Sequence, residues 1–258
     1  QGLGDTIQYS RFVNPVLDLG ARVIFEVPAT LVTLMATSFP QAEVIAKGAP
    51  IGAFHFHCPV ASLPFAFKTT LASIPGGRAY LEPDAQVQAR WNARLGPRTK
   101  PRVGIAWAGN PAQRNNHNRS MAFAQLLPLF DLDIEIHCLQ KDIPPTDREA
   151  VSKCATLKTW GDELHDFAET AALVRALDLV ISVDTSVSHL AGALGQRTWI
   201  ALTYAADYRY LLDRNDSPWY PSARLFRQGT PGDWPRVVAD IRSELRAAFD
   251  TATARRDG

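Results

Sequence analysis

Three groups of residues in this sequence have the types and spacing to do chemistry. The first is Gly2-Leu3-Gly4-Asp5. Two glycines let the backbone come close to a ligand or a neighbouring element, and the carboxylate sits where a helix begins. Such a carboxylate can take a proton from a hydroxyl, or can simply cap the helix. The second group is Trp107-Ala108-Gly109-Asn110-Pro111 with Arg114, Asn115, Asn116, His117, Asn118, Arg119 and Ser120 behind it. It is rich in donors and holds no carboxylate between Gly109 and Ser120, which suits an anionic, phosphate-bearing ligand or a solvated surface loop.

The third group lies in residues 179–195, LVISVDTSVSHLAGALG. Leu179, Val180, Ile181 and Val183 read as a strand buried on both faces. Asp184, Thr185 and Ser186 are helix N-cap types placed where the apolar period changes. Leu190, Ala191, Ala193 and Leu194 continue as a helical stripe, with Gly195 as its stop. A helix opening with hydroxyls, free N–H groups and His189 in its first turn can receive a phosphate. His189 reads equally as a satisfied helix histidine. Lys141, at a strand end, could reach phosphate or could be an ordinary surface lysine. Trp219, Tyr220 and the aromatics of residues 204–210 suit either a stacking wall or buried core. His55 and His57 alternate without a third ligand, so no metal site is expected.

The elements that must position these groups alternate strand and helix, the sequence form of an α/β protein with parallel sheets. A helix over residues 5–19 has Pro15 inside it, which predicts a kink or break. Strands are expected over 21–27, 42–46 and 54–58, with a helix over 31–39 between the first two. A helix over 84–95 precedes Gly96-Pro97-Arg98-Thr99-Lys100-Pro101, the best linker in the chain. Beyond it come a strand over 102–107, a polar loop over 108–120 and a helix over 123–130. A strand over 134–139, a helix over 166–177, the third group, a strand over 198–202, a last strand near 225–227 and a helix over 234–249 follow. The tail from 251 is expected to fray. Two domains are therefore predicted, residues 1–96 and 102–250, facing each other across a cleft at their strand ends.

The 258 residues are 46% hydrophobic and 21% charged, enough for a sizeable core. A net charge of +1 gives no general attraction to nucleic acid or to a membrane surface. Three widely spaced cysteines argue against a disulfide framework and fit a reducing compartment. No apolar run approaches the ~20 residues of a membrane span. The chain opens without Met and inside a motif, and so reads as a fragment.

Together and in this order, the three groups resemble the bacterial heptosyltransferase-like glycosyltransferases of the GT-B class, glycosyltransferase family 9. The similarity extends to the catalytic regions of tetratricopeptide-repeat glycosyltransferases related to that family. The residues that carry it are Gly2 to Asp5, Trp107 to Pro111 with Arg114 and Arg119, and Val183 to Ala191. The resemblance implies two Rossmann-like domains, an N-terminal acceptor-side domain and a C-terminal one that holds a nucleotide-sugar donor. It implies no cofactor and no metal, a glycan or protein acceptor, and a cytoplasmic location that allows contact with the inner face of the membrane. It assigns Asp5 as the base on the acceptor hydroxyl. Asn110, Arg114, Arg119, Lys141, Asp184, Thr185, Ser186 and His189 become contacts of the donor nucleotide and diphosphate. Two departures stand out: Ser186 where the family usually has Gly, and Thr203-Tyr204-Ala205 where it has a Gly-Pro pair. The loop that shapes the donor-sugar pocket therefore differs from the family's, and the transferase expected is of hexosyl or heptosyl type. The family's first strand would precede Gly2. A nucleotide-sugar epimerase and a non-catalytic sugar-nucleotide-binding module remain the alternatives.

Overall fold

The computed structural model describes residues 2–253 except Gly76 and Arg78, with side chains through Phe249. Gln1 and residues 254–258 of the expected frayed tail lie outside the described residues. The first helix starts at Leu3, with Gly2 as its N-cap, rather than at Asp5. It also breaks as Pro15 predicts, because proline cannot donate to the Arg11 carbonyl. Helix α1 (Leu3–Tyr9) gives way to a 3-10 turn at Ser10–Phe12, and α2 (Val13–Leu17) restarts with Pro15 in its first turn. There a missing N–H costs little. Strands β1 (Ile24–Val27) and β2 (Glu43–Ala46) pair in parallel, joined over α3 (Val32–Ser38).

The strand expected over residues 54–58 is absent. Phe54 and Phe56 are 60% and 94% exposed, so the apolar face of that Phe/His alternation has no core to cover it. Helix α4 (Leu63–Ala66) follows, then α5 (Ala85–Leu95), whose N-terminal amides of Gln86 and Val87 donate to the Asp84 carboxylate.

The second sheet holds β3 (Arg102–Ala106), β4 (Glu135–Cys138), β5 (Leu157–Lys158), β6 (Leu179–Val183), β7 (Thr198–Leu202) and β8 (Ala223–Arg227). All pair in parallel in the order β5-β4-β3-β6-β7-β8. Chain order thus reverses between β3 and β6, and in doubly wound sheets ligands sit at the strand ends of such a switch point. The crossovers carry α6 (Asn116–Arg119), α7 (Arg148–Lys153), α8 (Phe167–Arg175) and α9 (Ser186–Ala193); α10 (Trp234–Thr253) closes the chain. Helix α6 interrupts the loop expected over 108–120. Helix α7 and the two-residue edge strand β5 are too short to leave a periodic signal.

Strands β3, β6 and β7 are buried at every position. On one face of the sheet, Trp107, Phe123, Trp199 and Ile241 pack together. The other face shares its core with the N-terminal part, as Leu173 and Leu190 join Ile7, Val27 and Leu34. Helices α5 and α8 are tied by the Trp91 indole, which donates to Glu169 at 2.7 Å.

His137, inside β4, is fully buried. It accepts from the Trp160 indole at Nδ1 (3.3 Å), and Nε2 faces the Glu135 carboxylate at 2.7 Å. Indole nitrogen only donates, so the ring is neutral with its proton on Nε2. Burial pushes its pKa down to about 4 against the pull of Glu135. The unfolded chain then binds a proton near pH 6.5 that the folded chain takes up only near pH 4. Stability is expected to fall by on the order of 3 kcal/mol as pH drops through that window. Urea unfolding midpoints between pH 7 and pH 4 should show this decline, and His137→Gln should flatten it.

Candidate active site

A cavity of about 1130 Å³ opens at the switch point, where the C-terminal ends of the sheet meet the start of α1. Its walls bring together Asp5, Asn110, Arg119, Lys141, Asp184, Thr185, Ser186 and His189, all expected from sequence. Arg114 is exposed and is not among the lining residues.

Helix α9 supplies one wall. Thr185, in extended backbone, caps it by accepting from the Val187 amide at 3.2 Å. The Ser188 hydroxyl completes a capping box by accepting from the Thr185 amide. Ser186 and Val187 then present the helix start to the cavity, where backbone N–H groups lack intrahelical partners and the helix dipole is positive.

Asp184, just ahead of this start, accepts the Tyr210 hydroxyl at 2.6 Å and lies 3.5 Å from His189 Nε2. Burial disfavours its charge, but the Tyr210 hydroxyl and the nearby Arg209 guanidinium pull the other way and hold its pKa below the ordinary carboxylate value. It is therefore an anion at any physiological pH. Its backbone carbonyl accepts from Arg119 Nη1 at 2.9 Å. Arg119 lies across Gly109, where a Cβ would stand 2.6 Å from its Nη2. The motif glycine after β3 thus makes room for the guanidinium rather than for a ligand alone.

The loop after β3 is fixed by Gln140, whose amide oxygen accepts from the Trp107 and Ala108 backbone and whose nitrogen donates to the Ala108 carbonyl. Asn110 turns inward on its own loop, accepting from the Ala112 amide. Lys141 donates to the His165 carbonyl at 3.1 Å, at the exposed rim.

Helix α1 supplies the facing wall. Asp5 accepts from the Gly2 amide at 3.3 Å and from Arg209 Nη2 at 3.2 Å. Arg209 is the residue that sequence reasoning missed. It lies in a short 3-10 turn (Tyr208–Tyr210) capped by Asp207, which accepts from both its amide and its Nε. Its place in the loop after the buried strand β7 was the available signal, masked by the surrounding aromatics. His189 accepts from Arg209 Nη1 at 3.3 Å. Because guanidinium only donates, the His189 proton sits on Nδ1 and points to the Tyr220 hydroxyl at 2.8 Å. Tyr220 and Tyr210 are buried, while Tyr204 and Tyr208 are exposed, so the aromatic segment divides between core and surface. Among the described residues, no group of three or more His, Cys, Asp or Glu is arranged to hold a metal ion.

Gly4 carries the closest approach of the two walls. A Cβ there would lie 2.7 Å from His189 Cδ2, whereas one on Gly2 would meet only Asp5 at an ordinary 3.7 Å. Gly4→Ala is expected to destabilise the fold by about 1–3 kcal/mol through overpacking, and Gly2→Ala to be nearly neutral. Denaturant midpoints of the two variants compare these directly.

Residues 164–228, from just before α8 to the end of β8 and its next residue, match the family model of glycosyltransferase family 9 (heptosyltransferase). Protein FlbA of Caulobacter vibrioides is 25% identical over 277 residues, covering 95% of this chain and 45% of the relative. The chain therefore spans less than half of that protein's length. In fold it is similar to the E. coli ADP-heptose LPS heptosyltransferase II, with a TM-score of 0.63, 13% identity and 96% of both chains covered. A family 9 glycosyltransferase from Veillonella parvula gives a TM-score of 0.57 at 13% identity, over 88% of this chain and 84% of that one. The iron-containing dodecameric glycosyltransferase TibC of enterotoxigenic E. coli gives 0.56 at 15% identity, over 92% and 63%; it has also been seen with ADP-D-beta-D-heptose. The α/β fold is that of these GT-B structures, and the segment that builds the α9 wall of the cavity lies within the residues that match the glycosyltransferase family 9 model.

Proposed function

We propose that this protein transfers a sugar from a nucleotide-diphosphate donor to a hydroxyl of a glycan or protein acceptor, with inversion and without a metal. One observation carries the reading. A carboxylate on α1 and the Thr185-capped start of α9, backed by Arg119, line the same cavity. The first suits an acceptor proton; the second suits a diphosphate. In this reading residues 1–96 serve the acceptor and residues 102–250 hold the donor.

The acceptor oxygen attacks the anomeric carbon while its proton passes to Asp5. The bond from that carbon to the diphosphate breaks, and the electron pair leaves on the diphosphate oxygen. Attack and departure on opposite faces invert the centre. The charge that develops on the leaving group meets the α9 N–H groups and the Arg119 guanidinium, donors already fixed before the reaction. In this reading Asp184, an anion that accepts the Tyr210 hydroxyl, contacts the nucleotide.

Thermal unfolding with ADP, UDP, GDP, CDP and dTDP tests the reading. A ligand at 100 times its Kd adds about 2.7 kcal/mol, which for a protein of this size raises the melting temperature by about 5–10 °C. One nucleoside diphosphate is expected to give such a rise. Ser186→Pro sharpens the test, because proline at the first helical position preserves the helix but removes one N–H. Its binding should weaken by about tenfold or more, while Ser186→Ala changes little. Absence of any rise in the unmodified protein would overturn the donor assignment.

A further inference from the structure

Arg209 carries a further role that rests on the transferase reading. Its five N–H groups are all engaged, and unevenly. Nε donates to Asp207 Oδ1 at 2.8 Å. Nη1 donates to Gln8 Oε1 at 2.6 Å and to His189 Nε2 at 3.3 Å. Nη2 donates to Asp5 Oδ1 at 3.2 Å and to Asp207 Oδ2 at 3.5 Å, both longer than the bonds from Nε to Asp207 and from Nη1 to Gln8. The guanidinium is nearly buried, its side chain 11% exposed, while both Asp5 and Arg209 line the cavity. Two side chains of α1, Asp5 and Gln8, and the first turn of α9 thus converge on one cation from the loop after β7.

We propose that Arg209 is a positioning residue that exchanges partners: it pairs with Asp5 in the free protein, and an oxygen of the donor diphosphate takes the place of Asp5 at its Nη2 when the donor binds. Three observations support the exchange. The bonds from Nε to Asp207 and from Nη1 to Gln8 are short, so the guanidinium stays anchored while Nη2 changes partner. A diphosphate carries more charge than one carboxylate and offers several oxygens to a planar fork of donors. Asp5 Oδ1, once released, is free to accept the proton of the acceptor hydroxyl, a place that Arg209 Nη2 fills in the free protein. Donor binding would therefore arm the base, and the order of binding would be donor first.

A double-mutant cycle with nucleoside diphosphates tests this, with titration calorimetry as the readout and the tightest binder of the ADP, UDP, GDP, CDP and dTDP panel as probe. Asp5→Asn removes the competing charge and should tighten binding by about fivefold. Arg209→Gln should weaken it by about tenfold or more, as expected for loss of a charge-assisted bond. Arg209→Lys, which keeps the charge and loses the fork, should fall between the two forms of residue 209. The decisive result is the combination. In the Arg209→Gln or Arg209→Lys background, Asp5→Asn should no longer tighten binding, and the corresponding nucleoside without phosphates should show none of these effects. Tightening by Asp5→Asn that persists at full size without Arg209 would mean simple charge repulsion and would overturn the exchange. So would an unchanged Kd in Asp5→Asn. If the unmodified protein binds no nucleoside diphosphate at millimolar concentration, the transferase reading itself falls, and the exchange with it.

Discussion

The cavity depends on one close approach, the start of α1 against the first turn of α9. Only a glycine at position 4 permits it, since a Cβ there would stand 2.7 Å from the His189 ring. The approach sets two helix N-termini side by side, and their dipoles carry charge of the same sign. Two arginines, Arg119 and Arg209, add to that positive field. Asp5, Asp184 and Asp207 balance it, each in contact with one of these donors or with the helix starts. The depressed pKa of Asp184 follows from its neighbours in that field.

A second tie keeps the approach from springing apart. Arg11, just past the end of α1, is buried and stacks against Tyr80, Trp219 and Tyr220 at 4.5, 5.2 and 5.1 Å. Its N–H groups go to the carbonyls of Gln8 and Trp219 and to the Tyr80 hydroxyl. A buried guanidinium is costly to leave without partners, and ring faces with carbonyls offset that cost. Tyr220 in turn lies over Gly192, where a Cβ would meet its ring at 2.4 Å, and reaches His189 with its hydroxyl. The N-terminal helix is thereby linked to the histidine of α9 by two routes, Gly4 directly and Arg11 through Tyr220.

Legibility in the sequence followed the length and periodicity of each segment. Strand β6 and helix α9 were readable because a fully buried parallel strand is a continuous apolar run and a capped helix start is a change of period. The same holds for β3, β7, α8 and α10. The Phe54 to Cys58 stretch failed for the opposite reason: alternation is a pattern of residue types, and whether a core covers the apolar face is decided by distant chain. Edge strand β5 and helices α6 and α7 are too short to register. In the site, residues were found where a motif marked them. Arg209 lies in a turn made by Asp207 rather than by any period, and only the fold shows that it reaches Asp5, 204 positions away.

Geometry also changes the meaning of residues that sequence marked correctly. The loop after β3 looked like a set of free donors for a phosphate. Instead Arg119 is already committed, through Nη1, to the Asp184 carbonyl at the end of β6. Strands β3 and β6 are neighbours at the switch point, so their loops must part to leave a crevice, and the Arg119 bond spans it from one side to the other. That bond satisfies a backbone carbonyl ahead of a helix start and fixes a cation beneath it. Gly109 leaves the space for it, because a Cβ there would stand 2.6 Å from the Arg119 Nη2, which would have to shift. The two motif glycines at positions 4 and 109 therefore act alike. Each gives up a side chain so that a neighbouring polar group, the His189 imidazole at one and the Arg119 guanidinium at the other, can lie against the backbone.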